Sequence, residues 1–107
     1  MRDVEFRNLI ADDAALRVRF SIDLGTVVKF VVQLECLFDQ WREILRYDTA
    51  HGFAHCDILF PDGEHRKVPM ATRDYNEALT IAISDISSNW LSYRERYMRW
   101  RQERDET

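Results

Sequence analysis

The chain has 107 residues, 46% apolar and 32% charged, with a formal net charge of −4 at pH 7. That length supplies one modest hydrophobic core, read as a single domain over residues 1–107, and the composition excludes a disordered chain. The acid excess argues against broad binding to a nucleic-acid backbone, which needs Lys and Arg to neutralise phosphates; it leaves room only for a local patch contacting RNA.

The first fifteen residues carry the weakest signal. "VEFR" alternates as a short strand, and "ADDAA" reads as a loop or one helical turn. From Leu16 the period becomes two: Leu16, Val18, Phe20 and Ile22 oppose Arg17, Arg19, Ser21 and Asp23, the pattern of a half-buried strand. After the "LGT" turn, "VVKFVVQLECLF" places Val28, Phe30, Val32, Leu34, Cys36 and Phe38 on one face. Its other face is partly apolar too, so this strand is read as central. A two-residue Asp39-Gln40 connection to "WREILRYD" sets Phe38 opposite Trp41, Leu34 opposite Leu45 and Val32 opposite Tyr47. "AHCDILF" and "EHRKVPM" then flank Pro61-Asp62-Gly63, where Pro fixes φ and Gly accepts a left-handed position. The expectation is an α+β fold: an antiparallel meander of four to five strands over about residues 16–70.

The period changes after Asp74, a helix N-cap with Glu77 three residues on. Leu79, Ile83, Ile86, Trp90, Tyr93, Tyr97 and Trp100 follow at steps of four and three, one stripe of a single long C-terminal helix over about residues 75–102. At ~1.5 Å per residue such a helix is about 42 Å long, against ~30–35 Å for a compact domain of this size. The overhang predicts that Tyr93, Tyr97 and Trp100 meet a second copy or a small protein partner. Arginines among these aromatics also suggest base stacking, but Glu95 and Glu103 offset them, which favours a packing seam.

Two cysteines, Cys36 and Cys56, fall at inward strand positions and read as buried, inert thiols. No apolar run approaches the ~18–20 residues of a membrane span, and "MRDVEFRNLI" lacks the pattern of a signal peptide. The expectation is a cytoplasmic protein with no membrane partner and no cofactor.

Chemistry concentrates in "RYDTAHGFAHCD", Arg46 to Asp57. With a three-residue Pro61-Asp62-Gly63 loop, Asp57 faces Lys67, and His55 and His65 share that face, forming a surface cluster. Arg46, Asp48 and His51 arrive from the preceding strand and turn. Three readings follow. His55 or His51 exchanges protons near neutral pH, with Asp48 or Asp57 orienting it and Arg46 or Lys67 holding a phosphate oxygen. Alternatively, His51, His55, Asp57 and His65 supply metal ligands, although Gly52 removes any helical meaning from the spacing of the two histidines. The third reading is a solvated polar hairpin whose Asp57–Lys67 pair contributes ~0–1 kcal/mol. The chain contains no GxSxG, Walker loop, HExxH or dinucleotide-binding glycine motif.

The stretch "LRYDTAHGFAHCDILFPDGEHRKV" followed by "DYNEALTIAISDISSNW" resembles a family of small uncharacterised prokaryotic domains, with an R-Y-D-x-A-H-G turn before a D-Y-x-E-A-L helix. That likeness covers about residues 27–97. The strand leading through "RYD" to a histidine-bearing turn is also similar to TumE-type toxins of toxin–antitoxin pairs. This second resemblance implies an RNA- or nucleotide-directed activity with Arg46, Asp48, His51 and His55 at the motif positions. Two functional classes stay open: a toxin-like enzyme, and a non-catalytic homo-oligomeric or partner-binding domain whose polar turn is structural.

Overall fold

Each strand pairs with the next one in sequence. The computed structural model describes residues 1–105. In chain order the elements are β1 (Arg2–Ala11), β2 (Ala14–Asp23), β3 (Thr26–Leu37), β4 (Trp41–Asp48), a 3-10 turn (Ala50–Gly52), β5 (His55–Leu59), β6 (His65–Pro69) and α1 (Tyr75–Asp105). The strands form one six-stranded antiparallel meander, and α1 packs on it, so the α+β class is as expected.

The sheet begins at Arg2 rather than Leu16, and the strand count rises to six. β1 is an edge strand exposed along most of both faces, so only "VEFR" alternates as expected, and the strand extends beyond it on both sides. "ADDAA" holds a loop, as expected, but a shorter one than the whole stretch. Asp12 and Asp13 alone make the connection, with Ala11 opposite Ala14. Between β2 and β3, Leu24 and Gly25 both take positive φ, 47° and 80°. Two consecutive left-handed residues match the right-handed twist of the flanking strands.

The β3–β4 hairpin differs from its expected register at one end only. Leu37, not Phe38, stands opposite Trp41, which lengthens the loop to Phe38-Asp39-Gln40. An extra residue in β4, Ile44, then restores the pairing, so Leu34 faces Leu45 and Val32 faces Tyr47 as expected. The irregularity leaves two successive β4 residues, Ile44 and Leu45, in the core.

Helix α1 starts as predicted. Asp74 Oδ1 accepts the Glu77 N–H (2.8 Å), while Glu77 reaches back to the Arg73 N–H (3.3 Å), one residue earlier than in a standard capping box. The helix runs along β3 in the same direction. Asn76 Oδ1 accepts the Val27 N–H at the start of β3, and Arg94 donates to Leu37 O at its end. Leu79, Ala82 and Ile86 are buried against Phe30, Val32, Leu34, Cys36 and Leu45. Each large apolar side chain there contributes on the order of 1.5–3 kcal/mol.

The predicted aromatic overhang is absent. Tyr97 is 4% exposed and stacks on Phe38; Trp100 packs on Phe60 with ring centroids 4.7 Å apart; Tyr93 is half-buried and bonded to Asp85. Arg101 and Arg104 pair with Asp39 and Asp62 in the two hairpin loops. The body measures 51 Å along its longest axis, since α1, with 31 residues, spans about 46 Å at ~1.5 Å per residue and twelve-residue β3 about 40 Å at ~3.4 Å per residue. The helix therefore lies alongside the sheet and its loops. Among the described residues, no helix is long and apolar enough to cross a membrane.

Candidate functional site

α1 covers one face of the sheet. The opposite face carries two polar rows that cross all six strands. One runs Glu5, Arg19, Val31, Asp48, His55, Pro69, and the other Arg7, Arg17, Gln33, Arg46, Asp57, Lys67. The Asp57–Lys67 register holds as expected, because Phe60 and Glu64 close the Pro61-Asp62-Gly63 loop with a 2.8 Å hydrogen bond.

The "RYD" run divides its side chains between the faces, Tyr47 toward α1 and Arg46 and Asp48 toward the open side. Thr49 then ties the turn to β3. Its Oγ1 accepts the Phe30 N–H (3.1 Å) and its N–H donates to Phe30 O (3.3 Å). Asp48 Oδ1 accepts the Ala50 N–H at 2.8 Å, an Asx-turn that fixes the carboxylate. His51 (φ 72°) and Gly52 (φ 84°) reverse the chain through the left-handed region, and β5 begins at His55.

His55 does not lie on the surface. It is 0% exposed and Asp57 only 4%, because Lys67 and the Phe53 ring cover the imidazole. His55 Nδ1 lies 3.1 Å from Phe53 O, which can only accept, so Nδ1 carries the hydrogen. Nε2 thereby points into the cluster. It lies 3.0 Å from Asp48 Oδ1, 3.4 Å from Asp57 Oδ2 and 3.1 Å from Lys67 Nζ. Lys67 is also 3.8 Å from Asp57 Oδ1.

Arg46 sits among three carboxylates, at 3.0 Å from Glu43, 3.5 Å from Asp48 and 3.9 Å from Asp57. These contacts are poorly aligned: Glu43 Oε1, Arg46 Nε and Asp57 Oδ1 are buried without a hydrogen-bond partner. Burial raises the Glu43 pKa above the usual carboxyl range; Arg46 opposes the shift, and Glu35, Asp48 and Asp57 add repulsion.

The other two histidines stay outside. His65 is exposed opposite Leu59, at the far end of the β5–β6 ladder. His51 is exposed on the turn, its ring 6.5 Å from that of His55. The set His51, His55, Asp57 and His65 is therefore not brought together. His55 and Asp57 converge with Asp48 instead, each offering a donor atom within 4.8 Å of the others, an arrangement that could hold a cation.

A cleft of about 560 Å³ opens beside this cluster, lined by Asp3, Glu5, Arg19, Phe20, Ser21, Lys29, Phe30, Val31, Asp48, Thr49 and Ala50. Asp48 belongs to both cleft and cluster. Arg19 and Lys29 escaped the sequence reading, although extending the hairpin register to β2 sets Arg19 opposite Val31 and Val31 opposite Asp48. Glu43 and Phe53 were missed for want of any local signal.

Sequence reasoning also missed Asp85, on the α1 side. Its carboxylate accepts the hydroxyls of Tyr47 (2.5 Å) and Tyr93 (2.7 Å) and the Asn89 amide (2.9 Å). Burial, then the hydrogen bond to Asp85, pushes both phenol pKa values up.

A family model described as a domain of unknown function, DUF7718, matches residues 1–103. The chain belongs to that family. The expected kinship with a small uncharacterised domain family thus holds, over a longer stretch than residues 27–97, and it brings no support for the toxin likeness. No curated protein and no solved structure matches this DUF7718 chain.

Proposed function

We propose that the chain is a small cytoplasmic enzyme acting on a phosphate-bearing ligand, RNA or a nucleotide, as the toxin-like member of a toxin–antitoxin pair. The observation that carries this reading is the double membership of Asp48, in the wall of the cleft and against His55 Nε2. A ligand in the cleft meets the cations Arg19 and Lys29, suited to phosphate oxygens, beside a histidine whose ring is already oriented. Phe53 O holds the ring, Asp48 stabilises the imidazolium, and Nε2 exchanges the proton once Lys67 moves aside. Arg46 and Asp57 keep the two carboxylates and the imidazole in register.

Expression of the protein alone is expected to slow growth, and His55→Gln to relieve the arrest with a loss of about 10²-fold or more in turnover of RNA or nucleotide. Normal growth on strong induction, with no turnover of either by the purified protein, sinks the proposal.

The second reading, a homo-oligomeric or partner-binding domain with a structural turn, is favoured by a different surface from the one anticipated. β1 is a ten-residue edge strand with Leu9 64% and Phe6 37% exposed. Such an edge is a template for strand pairing. Leu9→Lys should then shift the sedimenting species to the monomer, and an unchanged mass counts against it.

A further inference from the structure

We propose that Asp48, His55 and Asp57 form a binding site for one divalent transition-metal ion, and that the Lys67 ammonium is the tethered cation the metal displaces. The inference is independent of the reading above and needs no phosphate ligand: an ion-loaded chain uses His55 as a ligand, and the proton exchange proposed above belongs to the ion-free chain.

Nδ1 donates to Phe53 O, and the Lys67 ammonium, which can only donate, lies 3.1 Å from Nε2, so toward Lys67 that nitrogen acts as an acceptor. Two carboxylate oxygens lie 3.0 and 3.4 Å from that nitrogen. Lone pair and carboxylates repel one another unless a positive charge stands among them. Lys67 Nζ is there, 3.1 Å from Nε2 and 3.8 Å from Asp57 Oδ1. It is an imperfect occupant. Asp57 Oδ1 has no hydrogen-bond partner although Asp57 is 4% exposed.

The same donors match a metal better. Ligands bonded at about 2.1 Å are separated by about 3.0 Å at a right angle and about 3.4 Å at the tetrahedral angle. The two separations from Nε2 are 3.0 and 3.4 Å, and all three donor atoms lie within 4.8 Å of one another. A backbone carbonyl on the far ring nitrogen is the usual outer partner of a metal-bound histidine. One imidazole and two carboxylates suit Zn²⁺, Mn²⁺ or Fe²⁺ and leave positions for water. The way in is through Lys67, whose side chain is 31% exposed and can swing to solvent.

The test is a competition titration of purified protein with Zn²⁺ against a chromophoric chelator, without RNA or nucleotide. One ion per chain is expected. Asp57→Asn and Asp48→Asn should each weaken binding about 10-fold to 100-fold. Lys67→Met, which removes the competing ammonium from a half-exposed position, should tighten it about 10-fold. The double variant His51→Ala/His65→Ala should leave it unchanged. Should a carboxylate variant fail to fold, Lys67→Met decides, because an ion held at this cluster predicts a gain and one held elsewhere on the chain predicts none. Absence of binding overturns the proposal, as does an affinity indifferent to Lys67→Met or one lost with the exposed histidines. Failure of the growth assay leaves this result standing.

Discussion

Tyr47 and Asp48 are neighbours in the chain, yet they enter two ionisable clusters on opposite faces of one sheet. On the α1 side, Asp85 receives two phenols and an amide, and each contact is a well-formed hydrogen bond between 2.5 and 2.9 Å. On the open side, Asp48, Asp57, Glu43, Arg46, His55 and Lys67 crowd together, and three of their buried atoms have no aligned partner. Both clusters join distant segments, but only the first is saturated. A saturated network stabilises a fold, and an unsaturated one holds binding capacity in reserve. The Asp85 cluster is accordingly a clasp between sheet and helix, and the Asp48–His55–Asp57 cluster is where a ligand gains most.

The sharpest way to break this contrast is the same substitution on each side. Asp85→Asn keeps the shape but turns an acceptor toward the phenols into a donor, at an expected cost of about 2–3 kcal/mol, the range of hydrogen bonds to a charged group. Asp57→Asn removes a charge whose Oδ1 makes no hydrogen bond, and it relieves repulsion with Asp48 and Glu43. Its cost should stay below that of Asp85→Asn, since the relieved repulsion offsets the loss of the long contacts to Arg46 (3.9 Å) and Lys67 (3.8 Å). Urea midpoints at pH 7 measure both. Equal costs, or the reverse order, remove the distinction between clasp and site.

How far these features were legible follows from the range of the interactions behind them. Alternation in β2 and β3, the Pro61-Asp62-Gly63 loop, the Asp74 cap and the α1 stripe are set by neighbours within a few residues, and all can be read from the chain. β1 was legible only at "VEFR", because most of this edge strand has no buried face to impose a pattern. Trp100 was misplaced because the body was taken as a sphere, whereas the lengths of α1 and β3 make it elongated. His55, Asp57 and Lys67 were placed together correctly by cross-strand counting, which cannot foresee that Lys67 and Phe53 would bury the imidazole. Asp85 reaches Tyr47 across 38 residues, and no local pattern encodes that contact.

A smaller effect sharpens the contrast through pH. Burial raises the Glu43 pKa in the fold, so the native protein binds this proton more tightly than the unfolded chain does. The ionised form therefore costs stability at neutral pH, and the cost fades as pH falls through the folded pKa toward ordinary carboxyl values. Glu43→Gln should raise the urea midpoint at pH 7, by under about 1 kcal/mol since the side chain is 30% exposed and Arg46 compensates it in part. The advantage should shrink toward pH 4. A gap that widens on acidification means the open-face carboxylates are as well served as Asp85.

The smallest effect tests the clasp through its neighbouring thiol. Cys56 lies beside Tyr47 across the β4–β5 ladder, on the α1 side, and burial pushes its pKa to about 11; burial takes Cys36 to about 12. Thiolate is the reactive form, so at pH 8 Cys56 should alkylate about two-hundredfold more slowly than an ordinary exposed thiol of pKa ~8.5. Tyr47→Phe removes the hydroxyl whose presence lowers the Cys56 value, and in a rigid clasp it should slow labelling further. If the same variant instead speeds labelling, access rather than ionisation was limiting. The clasp would then open on its own, and local opening at α1 would admit ligands to that face as readily as Lys67 admits them to the other.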